Sequence, residues 1–313
     1  MKKPQTILIT GATAGIGRFV ALDLARRGHH VIATGRSRAA LAALGDEARK
    51  ASLKGKLDTA ELDVTSEVSL AMALRQVESL TAGYGVDVLV NNAGYGNAVP
   101  LLETSTDDLR AQYETNVFGL MAVTRAFLPP MQERGRGRVI NVSSVGGRIT
   151  LPFFGAYNSS KFAVESLSDA LRMEVAPLGI QVAIVEPGPI RSEFSRKSVE
   201  WANAHKGASS PYAGLYERAE KMRTQVDAAS AGPESVARAI AHAIEARRAR
   251  VRYVVPFSSQ MFVWVGRALP TRWIDWGLRL YAGLTRKGMS QTAAPRPSVP
   301  TRKPASVQDV SVS

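Results

Sequence analysis

A chain of 313 residues that is 45% hydrophobic and 21% charged carries enough apolar material for one large core or two small ones. It has no cysteine, which excludes disulfides, thiolate nucleophiles and cysteine-ligated zinc, and its four histidines (His29, His30, His205, His242) have no spacing suited to a metal. The net charge is +13, but residues 246–313 hold twelve Lys/Arg against two Asp and so supply +10 of it. That basic stretch reads either as a solvated tail or as attraction to an anionic surface. It lacks a recognisable nucleic-acid-binding fold, so no nucleic-acid partner is expected.

From the N-terminus, Met1–Gln5 runs directly into a strand-like Thr6–Thr10. The apolar stretch is too short for a signal peptide, and no run of about 18 apolar residues marks a spanning helix. With cysteine absent, the expectation is a cytoplasmic protein, with a peripheral contact at the inner face of a membrane as the alternative. Further apolar runs follow at Val31–Thr34, Thr59–Leu62, Val86–Asn91, Arg138–Ser143, Gln181–Glu186 and Arg252–Val255. Between them lie amphipathic segments near 16–28, 38–51, 66–82, 106–130, 156–178 and 233–248. Such alternation predicts an α/β fold, a single doubly wound domain over 1–256 with a parallel sheet of seven strands covered on both faces.

Between the first strand and the first helix stands Thr10-Gly11-Ala12-Thr13-Ala14-Gly15-Ile16-Gly17. Gly11 permits a tight turn, Gly15 lets backbone approach a pyrophosphate, and Gly17 allows close helix–strand packing, with the helix N–H groups facing the phosphates. Thr13, Ala14 and Ile16 complete this candidate cradle. At the end of the second strand, where a carboxylate would bind the ribose hydroxyls and repel a 2′-phosphate, the chain has Gly35 followed by Arg36. A guanidinium there can pair with a phosphate, so NADP(H) is favoured over NAD(H); the alternative is an arginine pointing into solvent. After the third strand, Asp63-Val64 offers a carboxylate to an adenine amino group, or a cap to the next helix, or both.

Tyr157 and Lys161 stand one helical turn apart, with Ser144 thirteen residues before the tyrosine. A phenol titrates near ~10, and an ammonium beside it is expected to pull that value toward the working range. Ser144 could then hold a substrate oxygen while Tyr157 exchanges a proton with it.

With the glycine turn, Asn91-Asn92-Ala93-Gly94, Asn116, Ser144 and Tyr157/Lys161 in this order, residues 5–256 resemble the short-chain dehydrogenase/reductase family. The resemblance implies a catalytic tetrad of Asn116, Ser144, Tyr157 and Lys161, with Asn116 holding a water that links Lys161 to solvent. It also implies that Asn91–Gly94 supports the central sheet beside the cofactor, with Asn92 near the adenine ribose and Ala93 and Gly94 in contact with it. Ser143 is a second candidate serine, but the offset to Tyr157 selects Ser144. Pro187-Gly188-Pro189-Ile190 resembles the family's nicotinamide-side turn, in which Ile190 would offer its N–H to the carboxamide. Ser192 stands where a threonine is usual. Lys161 would also bind the nicotinamide ribose. Within the family, Ser143–Gly147, Leu151–Phe153 and Lys161–Ala163 look most like the 17β-hydroxysteroid and retinol dehydrogenase branch. Pairing through helices 106–130 and 156–178 into a homodimer or homotetramer is a further implication.

Two stretches break the strand–helix rhythm. Residues 190–232 place Phe194, Trp201, Tyr212, Tyr216 and Met222 among polar residues, which suits a lid or binding loop, and Phe194 is a candidate substrate contact. Residues 257–290 form an aromatic-rich helical extension. It reads as helices packed on the cleft or on a second subunit, or as an interfacial anchor with Trp264, Trp273 and Trp276 in lipid and Arg267, Arg272, Arg279, Arg286 and Lys287 at headgroups. The Ala/Pro/Ser/Thr-rich residues 291–313 read as a disordered tail. These features predict hydride transfer between a nicotinamide and a carbonyl or alcohol of a lipophilic substrate such as a steroid, retinoid, ketolipid or fatty aldehyde. A 3-oxoacyl-thioester reductase is the enzymatic alternative, and a non-catalytic NADP-sensing scaffold is the alternative of another class.

Overall fold

The computed structural model describes residues 3–285, apart from 192, 205–209, 215, 217–223 and 229. The readings made above for Ser192, Met222, Arg286, Lys287 and 291–313 lie outside the described residues.

The seven apolar runs become seven parallel strands: β1 (Thr6–Ile9), β2 (His30–Gly35), β3 (Lys56–Glu61), β4 (Val88–Asn91), β5 (Gly137–Val142), β6 (Ile180–Pro187) and β7 (Arg252–Val255). They form one sheet in the order β3-β2-β1-β4-β5-β6-β7. The central strands are buried on both faces, which is why they read as unbroken apolar runs rather than as alternating ones. Within β1, Ile7 and Ile9 enter one core layer and Leu8 the other, all fully buried. Burying each such side chain stabilises the fold by about 1.5–3 kcal/mol.

Helices cover both faces. One layer is built on α1 (Gly15–Arg26), α2 (Arg38–Lys50) and the later helix Glu234–Glu245. The other is built on α3 (Glu67–Leu80), α5 (Leu120–Phe127), α6 (Pro129–Glu133) and α7 (Gly155–Val175), with α4 (Thr106–Tyr113) leading into α5. The remaining helices are α8 (Glu193–Ala204), α9 for Glu234–Glu245, α10 (Phe257–Ala268) and α11 (Thr271–Tyr281). The chain winds outward from β1 to β3, then returns to the other side of β1 with β4. Loops leaving the carboxyl ends of β1 and β4 therefore diverge and open a crevice between them.

The segment expected as one helix over 106–130 is interrupted. Glu114–Gly119 is a π-helical turn between α4 and α5, and Asn116 lies within it. Val64 packs closely on this turn: a Cβ on Gly119 would lie 2.8 Å from both its Cγ2 and its carbonyl oxygen. The widened turn lets the chain leaving β3 pass against the helix. Such turns recur at functional sites. Pro129 and Pro130 then start α6 at positions where the missing N–H is tolerated.

Candidate active site

The glycine turn is held closed by the strand beside it. Gly11 adopts φ +64°, and a Cβ there would lie 2.9 Å from Cα of Ala93. A Cβ on Gly17 would lie 2.4 Å from the Gly11 carbonyl oxygen and from Nδ2 of Asn92. Asn92 Nδ2 donates to the Thr10 and Gly11 carbonyls at 2.9 and 3.1 Å, and Thr10 Oγ1 accepts from the N–H groups of Asn92 and Ala93 at 3.0 and 2.9 Å. Asn92 thus braces the turn. Asn91 instead points into the sheet, donating to Thr124 and Asn141 at 2.9 Å.

Ser37, Ser66 and Ser105 cap α2, α3 and α4 with side-chain oxygens, but α1 begins at Ala14, which has none. The first N–H groups of α1, reached through Gly15 at φ +53°, are left for an anion. Thr13 leans on the end of β2, its Cγ2 lying 2.7 Å from where a Cβ on Gly35 would be. Ile16 packs on the core beneath.

Arg36 is exposed, but its charge acts on Asp63 and Tyr95, so it faces the crevice between the ends of β2, β3 and β4. Asp63 accepts from the Thr65 N–H (3.0 Å) and hydroxyl (2.7 Å), both at Oδ1. Burial raises its carboxyl, but these bonds and Arg36 outweigh that and hold it below the usual range. Ser66 supplies the cap of α3, so Asp63 is not the capping residue. Val64 is buried against the π turn. These groups fit an adenine nucleotide laid from the α1 N-terminus toward β3, with Arg36 positioned for extra negative charge.

At the other end of the crevice, α7 presents Tyr157 and Lys161. Lys161 is 5% exposed, its Nζ donates to the Val142 carbonyl at 2.8 Å, and it lies 5.9 Å from the Tyr157 ring centroid. Ser144 Oγ accepts from the Gly146 N–H at 3.0 Å and donates to the Pro187 carbonyl at 3.3 Å. It shares the space beside Gly146 with the Tyr157 ring, the two lying 3.3 and 3.5 Å from where a Cβ would be. Ser143 faces away, against Gly147. Asn116 is buried in the π turn. Its Oδ1 accepts from the Tyr95 N–H (3.1 Å), and Nδ2 donates to the Tyr95 carbonyl (2.9 Å) and to Ser160 (3.0 Å). Both ends of the amide are thus engaged within the protein, tying the loop after β4 to α7. A Cβ on Gly94 would lie 3.0 Å from Asn116 Oδ1 and 3.6 Å from Lys161 Nζ, so this glycine admits close approach to both.

The expected lowering of the Tyr157 phenol by Lys161 is not what this geometry produces. Burial pushes Tyr157 up to about 12, against the Ser144 side chain, which lowers it. Burial likewise brings Lys161 down to about 8, opposed by the charge of Glu165. Desolvation wins because Lys161 is buried and Tyr157 is half-buried among Phe154, Phe194 and Gly96, which no reading of helical spacing reveals.

Pro187 ends β6, Gly188 follows it, and Ile190 forms a parallel bridge with Ala231. Phe194, on α8, stacks at a tilt on Tyr157 with ring centroids 5.3 Å apart, and Phe154 meets the tyrosine edge-on at 6.4 Å. Sequence reasoning missed Gly96, where a Cβ would lie 2.7 Å from both the Tyr157 and Phe194 rings, and Glu103. Glu103 accepts from Tyr216 (2.6 Å) and Ser210 (2.5 Å), holding these two residues beside a small cluster in which Tyr216, Ala202 and Trp201 pack on Val99. The sequence carried one cue for Gly96, a second glycine after Gly94; nothing local marked Glu103. Among the described residues, no group of three or more His, Asp or Glu is placed to hold a metal.

The family model described as short chain dehydrogenase matches residues 5–203. The chain belongs to the short-chain dehydrogenase family. It is 32% identical to a 3-ketodihydrosphingosine reductase of Bacteroides thetaiotaomicron over 281 residues, 89% of this chain and 98% of that one. It is 34% identical to human retinol dehydrogenase 5 over 280 residues, 86% of each chain. A short-chain dehydrogenase/reductase from Burkholderia phymatum, solved in complex with NAD, superposes with a TM-score of 0.72 at 25% identity, over 88% of this chain and 95% of that one. This short-chain dehydrogenase is therefore an oxidoreductase with a nicotinamide-dinucleotide fold, and its resemblance to the retinol and hydroxysteroid dehydrogenase branch holds.

Proposed function

We propose that the enzyme catalyses NADP(H)-dependent, reversible interconversion of a carbonyl and an alcohol on a lipophilic substrate. The observation that carries this is the convergence of Tyr157 and Ser144 on Gly146, beside buried Lys161 and with Phe194 against the tyrosine ring. Ser144 and Tyr157 hold the substrate oxygen. In reduction Tyr157 donates its proton to that oxygen, and buried Lys161 stabilises the phenolate left behind. The bound nicotinamide supplies the hydride in reduction and accepts it in oxidation. Asn116 keeps the loop after β4 and α7 in register, so that Lys161 stays beneath the tyrosine. Residues 190–232 act as the lid, with Phe194 as a substrate contact.

For the cofactor, Gly11, Thr13–Gly17, Asp63, Val64, Asn92–Gly94, Pro187, Gly188 and Ile190 line the crevice, and Arg36 selects the 2′-phosphate. An apolar lid face and relatives named for 3-ketodihydrosphingosine and retinol support a lipophilic substrate. Exposed Phe118 beside α4, and Phe162 and Met173 on α7, support pairing of subunits through these helices.

The test is turnover with NADPH across long-chain ketones, fatty aldehydes, steroids, retinoids and 3-oxoacyl thioesters. Lipophilic carbonyls are expected to react; turnover confined to short hydrophilic ketones would overturn the substrate assignment. Arg36→Asp is expected to raise KM for NADPH by about tenfold or more, a loss of at least ~1.4 kcal/mol, while KM for NADH stays level or falls. Unchanged NADPH kinetics would remove Arg36 from the cofactor site.

A further inference from the structure

We infer that the outward face of α10 and α11 is a docking surface for an anionic lipid bilayer. On α10 the inner side is small and seated: Ser259 and Val263 are buried, a Cβ on Gly188 would overlap Ser259, and a Cβ on Gly266 would lie 2.2 Å from Ile149. The outer side is apolar. Phe257, Met261, Trp264 and Val265 fall on one helical face and are all exposed, which inverts the usual pattern of a surface helix. On α11, which buries no residue, Trp273, Trp276 and Leu280 repeat the arrangement. The three tryptophans are 66–67% exposed. Two successive helices thus each expose a clustered apolar face, where a soluble protein ordinarily exposes single apolar residues.

Charge decides the occupant. Within Phe257–Tyr281 the charged residues are Arg267, Arg272, Arg279 and Asp275. On the α11 wheel Arg272 and Arg279 lie together along one edge of the face that carries Trp273, Trp276 and Leu280, an arrangement that lets the aromatics enter the acyl boundary while the arginines reach headgroups. A second copy docked through the same two-fold face would set arginines against arginines with one aspartate each to offset them. The rest of residues 246–313 carries nine Lys/Arg against one Asp and adds to the attraction for negative charge. No described helix is long and apolar enough to cross a membrane, so the contact is a surface one. Because α10 rests on Gly188 and Ile149, the bilayer would border the lid. On the proposed reading of the function, a lipid-dissolved carbonyl would then enter from that side.

Flotation of the full-length protein with phosphatidylcholine vesicles, alone or with one third phosphatidylglycerol, tests the surface. The protein is expected to float with the anionic vesicles, with tryptophan emission shifted to shorter wavelength, and to remain behind with the neutral ones. Trp273→Glu/Trp276→Glu should reduce flotation by about tenfold or more. Arg272→Glu/Arg279→Glu should weaken it comparably, with thermal melting and turnover of a water-soluble aldehyde unchanged in both. Absent flotation of the wild type, or undiminished flotation of both variants, would overturn the inference. So would sedimentation velocity showing that the tryptophan variant halves the particle mass, since the face would then be covered by a second copy. Turnover of detergent-dispersed lipophilic carbonyls reports on the substrate reading independently of these outcomes.

Discussion

Replacing Tyr157 with phenylalanine is expected to lower kcat by about a hundred- to ten-thousandfold, roughly 3–5 kcal/mol of barrier, with NADPH affinity unchanged. The phenylalanine ring keeps the contacts with Phe154 and Phe194 and still fits against Gly96, so the substitution removes only the hydroxyl. Ser144 retains the Gly146 N–H. Undiminished turnover in this variant would sink the proposed mechanism; lost NADPH binding would show that the tyrosine holds the cofactor site together instead. The pH profile gives a second reading. With Tyr157 at about 12, the proton donor stays loaded throughout the neutral range. The group that changes charge there is Lys161, at about 8. Reductive kcat/KM should therefore be level below about pH 8 and fall above it, as the ammonium that stabilises the developing phenolate is lost.

The parts of this site legible in the sequence are those set by short-range geometry. Tyr157 and Lys161 share a helix face because they are four residues apart, and the glycine turn announces itself by lying between a strand and a helix. The apolar runs marked the central strands, which are buried on both sides and need no alternation, whereas the edge strands β3 and β7 each bury one residue. What escaped reading depends on packing across the molecule. The stretch around Asn116 looks like ordinary helix, yet it is a π turn against which the chain leaving β3 packs at Gly119. The rise of the Tyr157 phenol follows from burial against Phe194 and Gly96, both distant in sequence. Residues 257–265 were plainly apolar, yet only the seating of Ser259, Val263 and Gly266 shows that the larger residues point outward.

Glu186 escaped in the same way, as a carboxylate at the end of an apolar strand whose partners are far along the chain. It is fully buried, 2.8 Å from Arg148 and 3.1 Å from Arg252. Arg252 also binds Glu165 at 3.1 Å and Asp169 at 2.6 Å, joining β7 to α7 directly behind Lys161. Arg252→Met should therefore destabilise the fold by about 3–5 kcal/mol, because it leaves two buried carboxylates short of a counter-charge. That corresponds to a fall in Tm of roughly 10 °C. The sign of the pH dependence follows from the carboxyls. Burial and the like charge of Glu165 hold Glu186 above the usual carboxylate range, against the pull of Arg148 and Arg252. A carboxyl raised on folding contributes most below its unfolded pKa and loses that contribution as pH climbs through the folded one. Without Arg252 the folded pKa of Glu186 rises further. Asp169 behaves oppositely: burial raises its carboxyl, but Arg252 and Arg172 outweigh that and hold it low. Its stabilisation is present above its unfolded pKa and lost on acidification, so removing Arg252 takes away stability at neutral pH. Asp169 is ionised in both states by pH 5, so its loss is constant above that, and between pH 5 and pH 8 it is the further rise of Glu186 that widens the gap between wild type and variant. Urea unfolding at pH 5 and pH 8 should thus show a larger difference at pH 8, and an equal or smaller one would mean that Arg252 supports the fold by packing rather than by charge.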